Sequence, residues 1–196
     1  MGHSRAYAVF RTTDAREAYA RAWRLVGLLA RVEAAMYVET VVRTVAEARR
    51  MVALLPGATV DHAETAFDPD TGACVPCPPD MATATDAAIQ AELPLVVAAD
   101  VPVGSVDEEF LRGLGDGPAS MDWRGLWPED PEAEGSPSAQ YDGVQVVFHA
   151  DEAQWTERTA HHTVFVHVRK PGDAARAAGL AALIGGEVLG DVQIGW

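Results

Sequence analysis

The first half of the chain alternates between strand-like and helix-like hydrophobic patterns. Residues 6–12 predict a strand, because bulky apolar side chains occupy both of its faces. Asp14 and Glu17 have the spacing of a helix N-cap and the third helical residue, so we expect a helix from there to about Val32. A second strand is predicted over residues 35–43.

A second strand–helix–strand pattern follows directly. Thr44 and Glu47 form a capping-box sequence, which predicts the start of a second helix. Pro56 and Gly57 are typical of a helix end, so this helix should stop there. Residues 58–67 alternate in polarity and predict a third strand.

The C-terminal part repeats the same order of elements. Residues 143–148 and 164–168 place valines at alternate positions, which indicates strands with one face in the core. A helix is predicted from Pro171 to Ile184, because Gly185 follows it. Residues 187–194 predict a last strand.

These patterns predict an α/β fold, with α+β as the alternative. Segments 6–40, 37–66 and 163–194 each contain a strand, a helix and a strand, and such units usually make right-handed crossovers between parallel strands. We therefore expect a mixed sheet built from repeated strand–helix–strand units, with two ferredoxin-like halves as one arrangement. Internal duplication and convergence of pattern are both possible origins of the similarity among these three segments. Residues 1–196 are predicted to form a single compact domain.

Residues 68–142 differ from the rest of the chain in composition. They hold most of the prolines and many acidic residues, which predicts an acidic, irregular insertion. Short helices are predicted over residues 81–92 and 106–114, and a strand over residues 95–99. Residues 128–142 are predicted to be a solvated loop.

The charge is strongly negative and unevenly distributed. The net charge is −14, while residues 1–56 carry +4 and residues 57–142 carry −16. Such a field repels nucleic acid and anionic lipid and favours basic partners. The alternative is that the acidity serves solubility alone. Arginine is strongly preferred over lysine and alanine is abundant, which suggests a GC-rich bacterial genome.

The composition also bears on location. Hydrophobic residues make up 48% of the chain, so a core can form without disulfides. No apolar run approaches the roughly 18 residues of a membrane span, and the N-terminus lacks the pattern of a secretory signal. We therefore expect a cytoplasmic protein that does not bind membranes.

Cys74 and Cys77 have the spacing of a redox dithiol or of half a zinc site. His62 is a candidate third ligand, although the following Pro78 and Pro79 argue against a redox-active helix start. Incidental thiols are the favoured interpretation, and zinc is the one cofactor that the sequence leaves open.

Four histidines lie close together in the sequence: His149, His161, His162 and His167. If the strands that carry His149 and His167 pair, both imidazoles are expected on one face. Such a cluster is typical of a general acid–base pair or a metal site. The alternative is a set of half-exposed histidines at the end of a sheet.

Trp123 and Trp127 lie in the acidic region, four residues apart. This spacing favours one helical turn that docks on the core. The alternative is an exposed aromatic anchor surrounded by Asp122, Glu129 and Asp130, as in a protein-binding surface.

Two functions follow from these patterns. The favoured one is a non-enzymatic accessory, inhibitor or immunity-type protein whose acidic region engages a basic protein partner. The alternative is an enzyme or small-molecule-binding protein with a histidine-lined pocket that residues 68–142 cover. Self-association is a third interpretation. Without a recognisable catalytic motif, the sequence leans against an enzyme.

Overall fold

A computed structural model of the chain describes residues 4–63, 78–128, 142–155, 157–168 and 174–196. The fold is α/β, as predicted, with strands and helices that alternate along the chain. The chain divides into two compact units, of which the first contains residues 1–37 and 118–196 and the second contains residues 38–117. That residues 1–196 form a single domain stays a prediction.

The first unit contains most of the β-structure. Its strands and helices are β1 (Arg5–Thr12), α1 (Ala15–Val26), β2 (Arg31–Val32), β6 (Ala119–Leu126), β7 (Asp142–Phe148), β8 (His162–Val168), α5 (Ala174–Leu183) and β9 (Gln193–Ile194). The sheet order is β6-β7-β8-β1-β9, and β2 also pairs with β6. The described pairs in this unit are antiparallel. The predicted parallel crossover is therefore absent at β1, whose neighbours are β8 and β9.

Strand β1 contains a bulge that matters for the site described below. Ala8 lies opposite Phe165 and Phe10 lies opposite Val164, so Val9 is an extra residue in β1. A bulge of this kind bends the strand and redirects the side chains that follow it.

Helix α1 begins as predicted but ends earlier. The Asp14 carboxylate accepts hydrogen bonds from the backbone N–H groups of Arg16 and Glu17. The helix stops at Val26, because Gly27 begins a short turn that leads into β2. The predicted end near Val32 is therefore wrong. The helix packs against β7 and β8 and buries Ala18, Ala22, Leu25 and Val26.

The second unit contains β3 (Ala35–Val42), of which residues 38–42 belong to it, and α2 (Val45–Leu54), β4 (Thr59–His62), α3 (Asp86–Glu92), β5 (Leu95–Pro102) and α4 (Asp107–Gly113). Its strand order is β4-β5-β3. Arg49 of α2 donates to the carbonyl groups of Met81 and Ala84 and pairs with Asp86 at 3.1 Å. These contacts fix the start of α3 beside α2.

Residues 78–128 contain the two short helices and the strand predicted there, as α3, α4 and β5. They also contain β6, an eight-residue strand that was not predicted and that is largely buried despite the surrounding prolines and acids. The helical turn predicted at Trp123 is wrong, because Trp123 lies within β6. The last strand, predicted over residues 187–194, is limited to the two residues of β9.

None of the described helices is long and apolar enough to span a membrane.

The capping box of α2 gives a direct stability test. The Thr44 side chain accepts from the Glu47 N–H, and the Glu47 carboxylate accepts from the Thr44 N–H. We expect Thr44→Ala to lower the free energy of unfolding by about 1 kcal/mol in urea titrations. Arg43→Ala, at the exposed neighbouring position, should change it by less than about 0.5 kcal/mol. Equal effects of the two variants would contradict the cap assignment.

Candidate functional site

A cavity of about 600 Å³ opens to solvent at the end of β1. We call it the β1 cavity, and all of its lining residues belong to the first unit. They are residues 9–13 of β1 and its following turn, His161, and residues 185–187 with Leu189 from the segment after α5. The cavity therefore begins at the bulged residue Val9, where the strand changes direction.

Two glycines bring the far wall of the cavity close to β1. Gly185 adopts a φ of +74°, which glycine tolerates best. A Cβ atom at Gly186 would lie 2.1 Å from the Val9 carbonyl oxygen, so only glycine fits there. Farther along, the Leu189 N–H donates to the Ala8 carbonyl at 2.8 Å. These contacts hold the segment after α5 against β1 and define the cavity.

The Asp151 carboxylate contacts two residues that line the cavity, Arg11 and His161. Asp151 Oδ1 lies 3.3 Å from Arg11 Nε, 3.2 Å from His161 Nδ1 and 3.3 Å from Thr159 Oγ1. The Thr159 hydroxyl also accepts from the His161 N–H at 3.1 Å. Arg11 and His161 both line the cavity, so one carboxylate fixes two polar side chains of its wall.

The tautomer of His161 follows from its partner. An ionised carboxylate only accepts hydrogen bonds, so the Nδ1 atom of His161 carries the proton that it donates to Asp151. The second ring nitrogen, Nε2, has no hydrogen-bond partner among the described residues. The side chain is 44% exposed. Its imidazole is therefore oriented by Asp151, while Nε2 stays accessible.

His149 and His162 form a second, more buried pair beside this cluster. The His149 N–H donates to His162 Nδ1 at 3.1 Å, and the two ring centroids lie 4.7 Å apart. Burial, followed by the charge of His149, lowers the pKa of His162 to about 4. The imidazole of His162 is therefore neutral at pH 7 and contributes to packing.

His167 lies elsewhere, because β7 and β8 are antiparallel. His167 faces Gly143 at the start of β7, whereas His149 directly follows the opposite end of that strand. The two imidazoles therefore lie at opposite ends of the paired strands and do not meet in one site. His149, His161 and His162 lie together, and of these His161 lines the cavity.

His167 instead belongs to a buried polar network. Ser4 Oγ donates to its Nδ1 at 2.8 Å, and its Nε2 donates to Gln145 Oε1 at 3.1 Å. The ring of Trp196 stacks on the imidazole, with 3.4 Å between centroids. Burial, followed by the nearby charge of Arg124, lowers the pKa of His167 to about 3. This network joins the first described residue to the last one.

The aromatic anchor predicted in the acidic region is not exposed. Trp123 is 0% exposed, Trp127 is 2% exposed and Asp122 is 6% exposed. Trp123 lies under Tyr19 and Trp23 of α1, with ring centroids 6.1 Å apart in both cases. The interpretation of the two tryptophans as a binding anchor is therefore wrong, because β6 is a strand that the rest of the unit covers.

Other predicted site residues lie partly beyond the described segments. Glu129 and Asp130, like Cys74 and Cys77, are outside the described residues. His62 pairs with Glu92 at 2.8 Å, and the described residues contain no group of acids, histidines or cysteines arranged to hold a metal ion.

Sequence reasoning missed Arg11 and Thr159 and did not single out Asp151 from the acids near the histidines. Arg11 precedes Asp151 by 140 residues, so no local pattern indicates their pairing. The bulge in β1 that redirects the residues after Val9 has no clear sequence signal either. No protein-family model, curated protein or solved structure matches the chain.

Proposed function

We propose that this protein binds a small organic molecule in the β1 cavity. The observation that carries the proposal is the cavity itself, which has the volume of a small-molecule site and combines apolar and polar walls. Phe10 and Leu189 supply apolar surface, while Arg11 and His161 supply polar groups that Asp151 holds in place.

Contacts of Arg21 hold the cavity wall at Phe10 in place, as a pre-formed site requires. The Arg21 guanidinium lies 4.8 Å over the Phe10 ring, donates to the Ile184 carbonyl and pairs with Glu17 at 3.1 Å. Helix α1 is thereby tied both to β1 and to the end of α5. Binding then requires little ordering of the protein, which favours affinity.

A thermal melt of the full chain against a diverse library of small organic molecules tests the proposal. A ligand at 100 times its Kd stabilises the protein by about 2.7 kcal/mol. Thr13→Trp places a large side chain at the exposed edge of the cavity and should abolish the melting-temperature shift. Thr83→Trp, at an exposed turn of the second unit, should leave it unchanged.

Either of two results would overturn the proposal. The first is a library without any stabilising compound, and the second is a compound whose shift survives Thr13→Trp and disappears in Thr83→Trp. A melt of each variant without ligand shows whether both are folded.

A second candidate function is non-enzymatic binding of a basic protein partner by the acidic second unit. Its support is the exposure of carboxylates on α3 and α4, where the side chain of Asp86 is 78% exposed and those of Glu108 and Glu109 are more than half exposed. Electrostatic association of this kind weakens as salt increases. Capture of a basic protein at 50 mM salt that persists unchanged at about 500 mM salt would argue against it.

A further inference from the structure

His161 and Arg11 form a chemically asymmetric pair on one carboxylate oxygen. Both contact Asp151 Oδ1, at 3.2 and 3.3 Å, and both line the β1 cavity. One is a base with a free nitrogen, and the other is a permanent cation. The two functional groups are therefore held close together at one wall of the same cavity.

The histidine has the geometry of a general base. Its Nδ1–H is fixed by Asp151, so the lone pair on Nε2 is available for a proton from a bound molecule. When Nε2 takes a proton, the imidazolium that forms is stabilised by the Asp151 carboxylate at 3.2 Å. Asp151 thus acts as a positioning residue, and His161 is the group placed to contact a ligand.

The arginine complements this base. Its Nε faces Asp151 and Thr163, and its Nη2 donates to the Asp151 carbonyl at 3.5 Å. The Nη1 group of this cavity-lining residue is then the donor for an oxygen that gains negative charge. A base beside a fixed cation suits a reaction in which a proton leaves water while a carbonyl oxygen becomes an oxyanion. The apolar surface of Phe10 and Leu189 suits an uncharged substrate.

We propose that His161 is a catalytic residue for the hydrolysis of small neutral carboxylic esters in the β1 cavity. Its Nε2 takes a proton from a water molecule as the water oxygen attacks the ester carbonyl carbon, whose oxygen is stabilised by Arg11. The bond from that carbon to the alkoxy oxygen then breaks, and the leaving alkoxide receives the proton from Nε2. An ester and water become a carboxylic acid and an alcohol, and the imidazole is restored.

This inference rests on the proposed function, since it requires a ligand in the cavity. The test uses the full chain with p-nitrophenyl acetate as the probe. We expect His161→Gln to lower kcat/KM by about 100-fold, within the range for loss of a general base. His62→Gln is the matched control, because His62 also pairs with a carboxylate but lies in the second unit. This control should hydrolyse the ester at the wild-type rate.

One further variant separates a catalytic from a structural role. Asp151→Asn should lower kcat with little change in KM, because the amide no longer fixes the Nδ1–H tautomer of His161.

The outcomes are distinguishable. If compounds bind the cavity and His161→Gln hydrolyses the ester within about 3-fold of the wild-type rate, the ester hydrolysis is overturned and the binding function stands. If hydrolysis depends on His161 but is unaffected by Thr13→Trp, the reaction does not occur in the cavity and the inference fails. If no compound binds and no hydrolysis above that of buffer occurs, both proposals fail.

Discussion

Replacing Trp123 by alanine is expected to lower the free energy of unfolding by about 3–5 kcal/mol, the usual cost of deleting a buried large aromatic side chain. Trp123 is fully buried in β6, which pairs with β7 over seven residues. Tyr19 and Trp23 cover it from α1. The substitution therefore opens a cavity between the helix and the sheet rather than removing a surface anchor.

Phenylalanine substitutions sharpen this prediction. The Trp123 indole N–H has no hydrogen-bond partner among the described residues, so Trp123→Phe should cost less than Trp123→Ala. Trp127 Nε1 donates to the His167 carbonyl at 3.0 Å. Trp127→Phe should therefore lower the free energy of unfolding by roughly 1–3 kcal/mol more than Trp123→Phe does, because a buried acceptor loses its donor.

Urea unfolding at pH 7 measures these differences. Trp23→Ala is the control, because that side chain is 40% exposed and should cost less than Trp123→Ala. A Trp123→Ala variant that loses less than about 1 kcal/mol would contradict the buried position of this residue.

Acid is expected to destabilise the protein through two buried histidines. The folded pKa of His162 is about 4 and that of His167 is about 3, both below the value of about 6.5 in the unfolded chain. Between these values the unfolded state binds more protons than the folded state. Stability is therefore highest above about pH 6.5 and falls as the pH decreases toward the folded pKa values.

In this window, each histidine lowers the free energy of unfolding by at most about 1.4 kcal/mol for every pH unit of acidification. The check is urea unfolding at half-unit steps from pH 7.5 to 4.5. The slope of stability against pH should decrease in His162→Gln and in His167→Gln, and should decrease further in the double variant. Identical slopes in the wild type and all three variants would show that neither histidine is buried in its neutral form.

Local signals in the sequence were sufficient to predict several elements. The Asp14 cap, the capping box of Thr44 and Glu47, and the glycine after α5 act through neighbouring backbone groups, so their spacing alone locates helix ends. Alternating valines similarly identified β7 and β8. These features depend on contacts within a few residues.

Features that depend on distant contacts were misjudged. The spacing of Trp123, in β6, and Trp127, just after it, fits one face of a strand as well as one turn of a helix, and only pairing with β7 decides between them. The histidine-rich segment contains His149, His161 and His162, which lie near one another, and His167, which does not join them. The orientation of the three neighbouring histidines depends on the antiparallel pairing of β1 with β8 and on the bulge at Val9, which involve residues 150 or more positions apart. The sequence therefore suggested the histidines but not their partner Arg11.

The most direct test of the β1 cavity as a ligand site is NMR mapping of the full chain with the compound that gives the largest melting-temperature shift. The account predicts that the backbone amide signals of residues 9–13, 161 and 185–189 shift together and saturate with one affinity. Shifts confined to the helices of the second unit, with no change in those cavity residues, would contradict it.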